Sequence, residues 1–262
     1  MLLALLSVSY FSVVFSQQRA SLPSPAREMN KAYAHGEVLE YRVHYGFLNA
    51  ATIRMSVSSE EKVVEGKRTY QIVGDGVTHS GYNWFFPVKD HYESFIDKDS
   101  LLPVKYIRNV KEGGYKDLES AIFDHKAGKV YSSKGVYPAK DNHFQDVLSA
   151  IYYLRNYNFS KMNPGDNIHI NFYLDKVLYS SRIRFVGRQK IKTDIGTFNT
   201  IVLKPQVVVD RVFPNEDSMT IWATDDGNLI PLRVKADLMV GSLKADITKI
   251  EGIRNPLTSK VK

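Results

Sequence analysis

Val38-Leu39-Glu40-Tyr41-Arg42-Val43-His44-Tyr45 decides the fold. Leu39, Tyr41, Val43 and Tyr45 share one face, and the residues between them share the other. Alternation with a period of two is the mark of a strand with one buried and one wet face. Sheets of such strands are normally antiparallel. Thr52 to Ser58 repeats the pattern with Ile53, Met55 and Val57. The same reading applies to Thr69–Val73, His91–Ile96, Val104–Val110, Leu118–Phe123 and Lys129–Ser132. It continues through Ile168–Leu174, Leu178–Val186, Thr197–Val208, Met219–Ala223, Leu232–Val240 and Leu243–Ile250. Turn residues separate them, at Glu65-Gly66, Gly113-Gly114, Lys126-Ala127-Gly128, Asp194-Ile195-Gly196 and Asp225-Asp226-Gly227-Asn228. The chain reads as all-β.

One segment departs from this. Between His143 and Asn156, Phe144, Val147, Leu148, Ile151 and Leu154 or Arg155 fall at helical spacing. Asn142 is placed to cap this helix, with Gln145 closing a capping box. The expected architecture is a strongly curved antiparallel sheet, or an incomplete β-barrel, wrapping one central helix. The alternative is a two-sheet β-sandwich, one sheet per half. The expected organisation has a signal peptide at 1–16, a flexible lead-in at 17–35 and one β-rich domain over 36–252. That domain has two similar halves, about 36–135 and 166–252, joined by the helix 143–156, and a tail follows at 253–262.

The halves echo each other in FIDKDSLLPVKY, Phe95–Tyr106, and WATDDGNLIPLRV, Trp222–Val234. Each has an aromatic-led strand, an acidic turn, then an aliphatic-Pro-aliphatic-base return. Asp97, Asp99, Asp225 and Asp226 are too few, at the wrong spacing, for a calcium loop. A tight corner shared by the two halves explains them, with Pro at a strand edge.

Composition bounds function. The 262 residues are 44% hydrophobic and 24% charged, an ordinary globular balance. Met1 to Gln17 carries no charge and falls short of the ~20 apolar residues a spanning helix needs, so it reads as a secretory signal. No Lys or Arg precedes the apolar run, which argues the other way. There is no cysteine, which excludes thiol catalysis, Cys-ligated zinc and a lipidated cysteine. The net charge of +7 is scattered rather than clustered, and a secreted chain without a basic stripe is not a nucleic-acid binder.

No Gly-x-Ser-x-Gly elbow, phosphate loop or His-Glu-x-x-His pair occurs in the sequence. We therefore expect no catalytic residues, no metal and no cofactor. The candidate ligand contacts are aromatic. Tyr82, Trp84, Phe85 and Phe86 form a dense run between turn residues and a strand, and Phe144, Ile151, Tyr152 and Arg155 lie on the helix. The run either lines a groove or fills the core; the helix either gates an apolar cavity or plugs the sheet.

Three blocks together resemble the secreted bacterial family catalogued as domain of unknown function 3108. They are Arg108-Asn109-Val110-Lys111-Glu112-Gly113-Gly114-Tyr115-Lys116, Gln145 through Arg155, and Pro231-Leu232-Arg233-Val234. The resemblance extends from about Gly36 to Gly252. It implies a protein of the Gram-negative envelope, in the periplasm or at the outer membrane, and brings no catalytic residues with it. The echo is more distantly similar to periplasmic lipoprotein carriers. Those are half-open antiparallel barrels around helices with a hydrophobic cavity, and they have more helix than this chain has room for.

The expected function is a non-enzymatic envelope protein that binds an apolar or amphipathic ligand: a lipid, an acyl chain or an envelope polymer. Its partners would be lipid or envelope components, with association at a membrane surface; the sequence does not fix the oligomeric state. One alternative is a structural or interaction module with no ligand cavity. Another is an envelope glycan hydrolase, which needs two carboxylates facing each other across a cleft.

Overall fold

The computed structural model describes residues 30–82, 87–139, 141–207 and 213–261. The segment expected to be a signal peptide and most of the expected lead-in therefore lie outside the described residues. Among the described residues, sixteen strands form a single sheet. The first half supplies β1 (Val38–Tyr45), β2 (Leu48–Val57), β3 (Lys62–Val64), β4 (Lys67–Thr78), β5 (Lys89–Asp97), β6 (Pro103–Glu112), β7 (Tyr115–Asp124), β8 (Lys129–Ser132) and β9 (Gly135–Pro138). A short strand β10 (Gln145–Asp146) and one helix α1 (Val147–Leu154) follow. The second half is β11 (Asn167–Leu174), β12 (Val177–Thr193), β13 (Gly196–Pro205), β14 (Met219–Thr224), β15 (Pro231–Asp237) and β16 (Ser242–Glu251).

The spatial order runs from β10 through β11 to β16, then β1, β2, β4 and on to β9, with β3 paired to β4. Each half is a meander, and the first and last strands of the domain pair at mid-sheet, Val38 opposite Glu251 and Tyr45 opposite Leu243. The sheet is open rather than closed, with β9 and β10 at its two ends. All neighbours are antiparallel except β10 and β11. The two halves thus share one sheet, and the two-sheet sandwich does not form.

The opening alternation holds. Leu39, Tyr41 and Val43 of β1 are buried, and the residues between them are half-buried. They join a core that continues through Ile53, Met55, Ile72 and Tyr92 to Phe144 and to Leu148 of α1. Distant strands also meet: the Tyr173 hydroxyl of β11 donates to Glu119 Oε1 of β7 at 2.5 Å. The helix contacts β4, β5 and β11.

The helix is shorter than its periodicity suggests. Asp146, not Asn142, caps it: its carboxylate accepts from Ser149 N at 2.8 Å, and Ser149 Oγ accepts from Asp146 N at 2.8 Å. Gln145 is not the distal half of a capping box. It belongs to β10, which extends the sheet edge alongside Phe172 and Tyr173 of β11. The segment expected as a tail is also ordered. Asn199 N donates to Ser259 O at 2.8 Å and Val261 N to Thr197 O at 2.8 Å, so the chain end lies along β13.

Candidate functional site

The inward faces of β5, β6 and β7 carry a polar band inside an apolar sheet. β5 turns Asp90, Tyr92 and Ser94 inward, β6 turns Tyr106, Arg108 and Glu112, and β7 turns Glu119. The register sets Tyr92 opposite Arg108, Ser94 opposite Tyr106 and Arg108 opposite Glu119. These groups therefore share one patch because of strand pairing alone.

Arg108 stands at its centre and has a side-chain exposure of 0%. Its Nη1 donates to Asp117 Oδ2 at 3.3 Å and to the carboxylate of Asp175. Asp175 is at the tip of the β11–β12 hairpin, where it and Lys176 have φ of 49° and 68°, the left-handed pair of a two-residue hairpin turn. The other guanidinium nitrogens, Nε and Nη2, have no hydrogen-bond partner. The same is true of the Tyr92 and Tyr106 hydroxyls and of Glu112 Oε1, all buried.

The two tyrosine rings lie 6.3 Å apart. Burial raises both phenols above their ordinary range, and Arg108 opposes that shift in each. The Tyr92 hydroxyl is thus close enough to feel the guanidinium without a well-formed hydrogen bond to it. Burial, and then the adjacent Asp90, push the Glu112 carboxyl up to about 7.

Ionic and capping contacts border the patch. Lys134 pairs with Asp117, and Glu119 accepts from Ser132 Oγ and from Tyr173. Ser94 Oγ donates to the capping carboxylate of Asp146 at 2.6 Å, and burial pushes that carboxyl up to about 6. Donors (Arg108), an acceptor (Glu112) and two hydroxyls that are both face the same region. Acids here (Asp90, Glu112, Asp117, Glu119, Asp146, Asp175) outnumber bases (Arg108, Lys134). Such a set suits a hydroxyl- or carbonyl-bearing neutral group better than a bare anion.

The residues singled out from sequence occupy other places. Trp84, Phe85 and Phe86 lie outside the described residues, as does the side chain of Tyr82, whose backbone closes the 3-10 turn Ser80–Tyr82. Phe144 is fully buried against Phe123 and His125, with ring centroids 5.7 and 4.5 Å away. Ile151 is half-buried against the main core. Tyr152 is sealed edge-on to Tyr33 at 4.8 Å.

Arg155 holds Glu37 through two bonds of 2.6 and 2.7 Å, and donates further to Asn228 O and Ala32 O. Its guanidinium also lies 4.9 Å from the Tyr152 ring centre. Burial works against its charge, and Glu37 more than offsets that, so the proton is held tightly. Beside the start of α1, Leu102, His143, Gln145, Tyr153, Ile170 and Asn171 line a shallow cleft of about 240 Å³, open solvent included.

Both acidic turns are corners of one design. Asp97 accepts from Asp99 N, Ser100 Oγ and Lys67 Nζ; Asp226 accepts from Asn228 N, Thr224 Oγ1 and Ser259. A leucine follows in the left-handed region in each, Leu101 with φ 55° and Leu229 with φ 47°. A register shift then accompanies the returning proline, Pro103 or Pro231.

Sequence reading missed the Arg108 patch. The signal was nonetheless present: Val104, Tyr106, Arg108, Val110 and Glu112 fall on one strand face, so two charges share the parity of the core.

The family catalogued as protein of unknown function DUF3108 matches residues 40–248. Among curated proteins, none matches. A β-barrel-like protein of domain of unknown function DUF1849 from Brucella abortus shares the fold. It is 13% identical, with a TM-score of 0.55 over 86% of this chain and 100% of that one. A candidate lipoprotein from Parabacteroides distasonis is 10% identical with a TM-score of 0.39, over 85% of this chain and 98% of its own. A candidate exported protein with a YmcC-like fold from Bacteroides fragilis is 11% identical with a TM-score of 0.35, over 85% and 99%.

Proposed function

We propose, for a chain that belongs to the DUF3108 family of proteins of unknown function, a non-enzymatic role in binding an amphipathic ligand within the bacterial envelope. The polar end of the ligand meets the inward face of β5 and β6, and its apolar part lies against the adjoining core. One observation carries this reading: fully buried Arg108 has two nitrogens, and Tyr92 and Tyr106 two hydroxyls, that make no well-formed hydrogen bond. Leaving buried polar atoms unpaired costs roughly 1–3 kcal/mol each, a cost that a bound hydroxyl- or carbonyl-bearing group removes. The uncharged run Met1–Gln17 supports export to the periplasm or outer envelope of a Gram-negative bacterium.

Native mass spectrometry of protein recovered from its own host tests this. The expected result is a co-purifying amphipathic species that is depleted in a Tyr92→Phe/Tyr106→Phe variant, which keeps the ring packing and removes the hydroxyls. A wild-type protein that carries nothing, or a variant that retains the ligand equally, overturns the reading. The sealed packing of Phe144, Tyr152 and Arg155 around α1 favours a second one, a structural or interaction module of the envelope.

A further inference from the structure

Antiparallel pairing brings alternate turns to the same rim of the sheet. One rim collects the β1–β2 turn at Gly46 and Phe47, the β6–β7 turn at Gly113 and Gly114, the β11–β12 turn at Asp175 and Lys176, and the β15–β16 turn from Leu238 to Gly241. Large apolar side chains stand exposed at or beside these tips. Phe47 is 93% exposed, Val240 76% and Met239 61%, and Tyr115, Val77 and Val177 are exposed too.

The first three stand on two adjacent tips. Gly46 N donates to Ser242 O at 3.3 Å and Tyr45 Oη donates to Val240 O at 3.1 Å, so the β1–β2 and β15–β16 tips are tied together. Lys89, Lys111, Lys116 and Lys176 are exposed along the same rim. Among its acids, Asp175 is bound to Arg108, Asp237 to Lys235, Glu216 to Arg182 and Asp217 to Arg184, and Glu112 is buried. The opposite rim turns at polar residues such as Glu65-Gly66 and Asp225-Asp226, with Val63 as its exposed large apolar residue.

The geometry points to this rim as a docking edge for a lipid bilayer surface, with Phe47, Met239 and Val240 inserted among the headgroups and the rim lysines against anionic lipid. Apolar side chains at the tips of two neighbouring hairpins protrude into solvent, so they fit a soft interface better than a folded partner. Insertion of apolar side chains with basic neighbours is how proteins settle at the headgroup boundary. The inserted side chains Phe47, Met239 and Val240 take no part in the Arg108 patch, and docking does not depend on an interior ligand.

The chain contains no cysteine, so a single introduced thiol can carry an environment-sensitive fluorophore. The test compares Val240→Cys with Val63→Cys, a site of similar exposure, 70%, on the other rim. Vesicles of phosphatidylethanolamine with phosphatidylglycerol are the partner. We expect a severalfold rise and a blue shift in emission at position 240 and none at 63. Adding Phe47→Ser should cut the bound fraction severalfold with the melting temperature unchanged. Equal responses at both positions, or none at 240, overturn the proposal. A rise at 240 with protein concentration in the absence of vesicles overturns it in favour of a second copy of the chain.

Discussion

Among the described residues two arginines, Arg108 and Arg155, lie fully inside the protein, and they are satisfied to different degrees. Arg155 spends its donors on Glu37 and two backbone carbonyls. Replacing it by Met leaves the Glu37 carboxylate buried without a counter-ion, and we expect a loss of about 3–5 kcal/mol in denaturant unfolding. Arg108 is held through one nitrogen only, among phenols that make no well-formed hydrogen bond. Tyr106→Phe in ligand-free protein should therefore cost less than ~0.5 kcal/mol or stabilise, since the lost hydroxyl had no partner. A loss above about 2 kcal/mol would show a hydrogen bond that the geometry does not contain.

The carboxyls of the same patch set a pH dependence. Burial pushes Asp146 up to about 6 from 3.8, and burial followed by Asp90 pushes Glu112 up to about 7 from 4.5. Between those limits the folded protein keeps protons that the unfolded chain has released. Stability contributed by these groups therefore falls as pH rises from about 4 to about 7, and is level on either side. Asp97 and Asp246 are shifted downward: burial opposes that shift, while hydrogen bonds and nearby lysine or arginine outweigh it. They act only below this window. Relative to wild type, Glu112→Gln should raise the urea midpoint near pH ~7.5 more than near pH ~5, since it removes the carboxyl that must stay protonated in the fold.

At the scale of elements, the strands were legible because a half-buried sheet imposes a period of two on its sequence. The helix was legible by period but not by boundary. Asp146 serves two elements: its backbone extends the sheet edge beside β11, and its side chain caps α1 and receives Ser94. Such double use leaves no pattern in a linear sequence, and Asn142 matched the local cap signature equally well. Asp146→Ala should cost about 1–3 kcal/mol, from the lost cap and the stranded Ser94 hydroxyl. Asp146→Asn should restore much of this, and chemical denaturation of the three forms checks the order. The echoed corners were readable as turns, since Asp binding its own backbone is local chemistry. The left-handed leucines 101 and 229 were not, because their strain is compensated by burial of Leu101, Leu102 and Ile230.

At the scale of the molecule, the alternation said nothing about which strand meets which, and above all did not show that β1 and β16 pair in the middle of the sheet. That seam joins the two meanders, and its most constrained point is Gly252. The residue follows β16 with φ of 63°, and a Cβ there would stand 2.2 Å from Gly36 O and 2.6 Å from Gly36 C. Backbone on both sides leaves no flexible side chain to move aside, so Gly252→Ala must displace the chain that leads into β1. Glu37, the partner of Arg155, lies in that same segment, so the displacement also strains a buried ion pair. The cost should exceed the ~1 kcal/mol of an ordinary Gly-to-Ala change at positive φ. Because the seam is central, the loss should appear in both halves: hydrogen exchange should accelerate together in β2 and β15, each next to a seam strand. If exchange rises only in the last residues of β16, the two meanders are independent cooperative units and the seam is a contact between them rather than their common core.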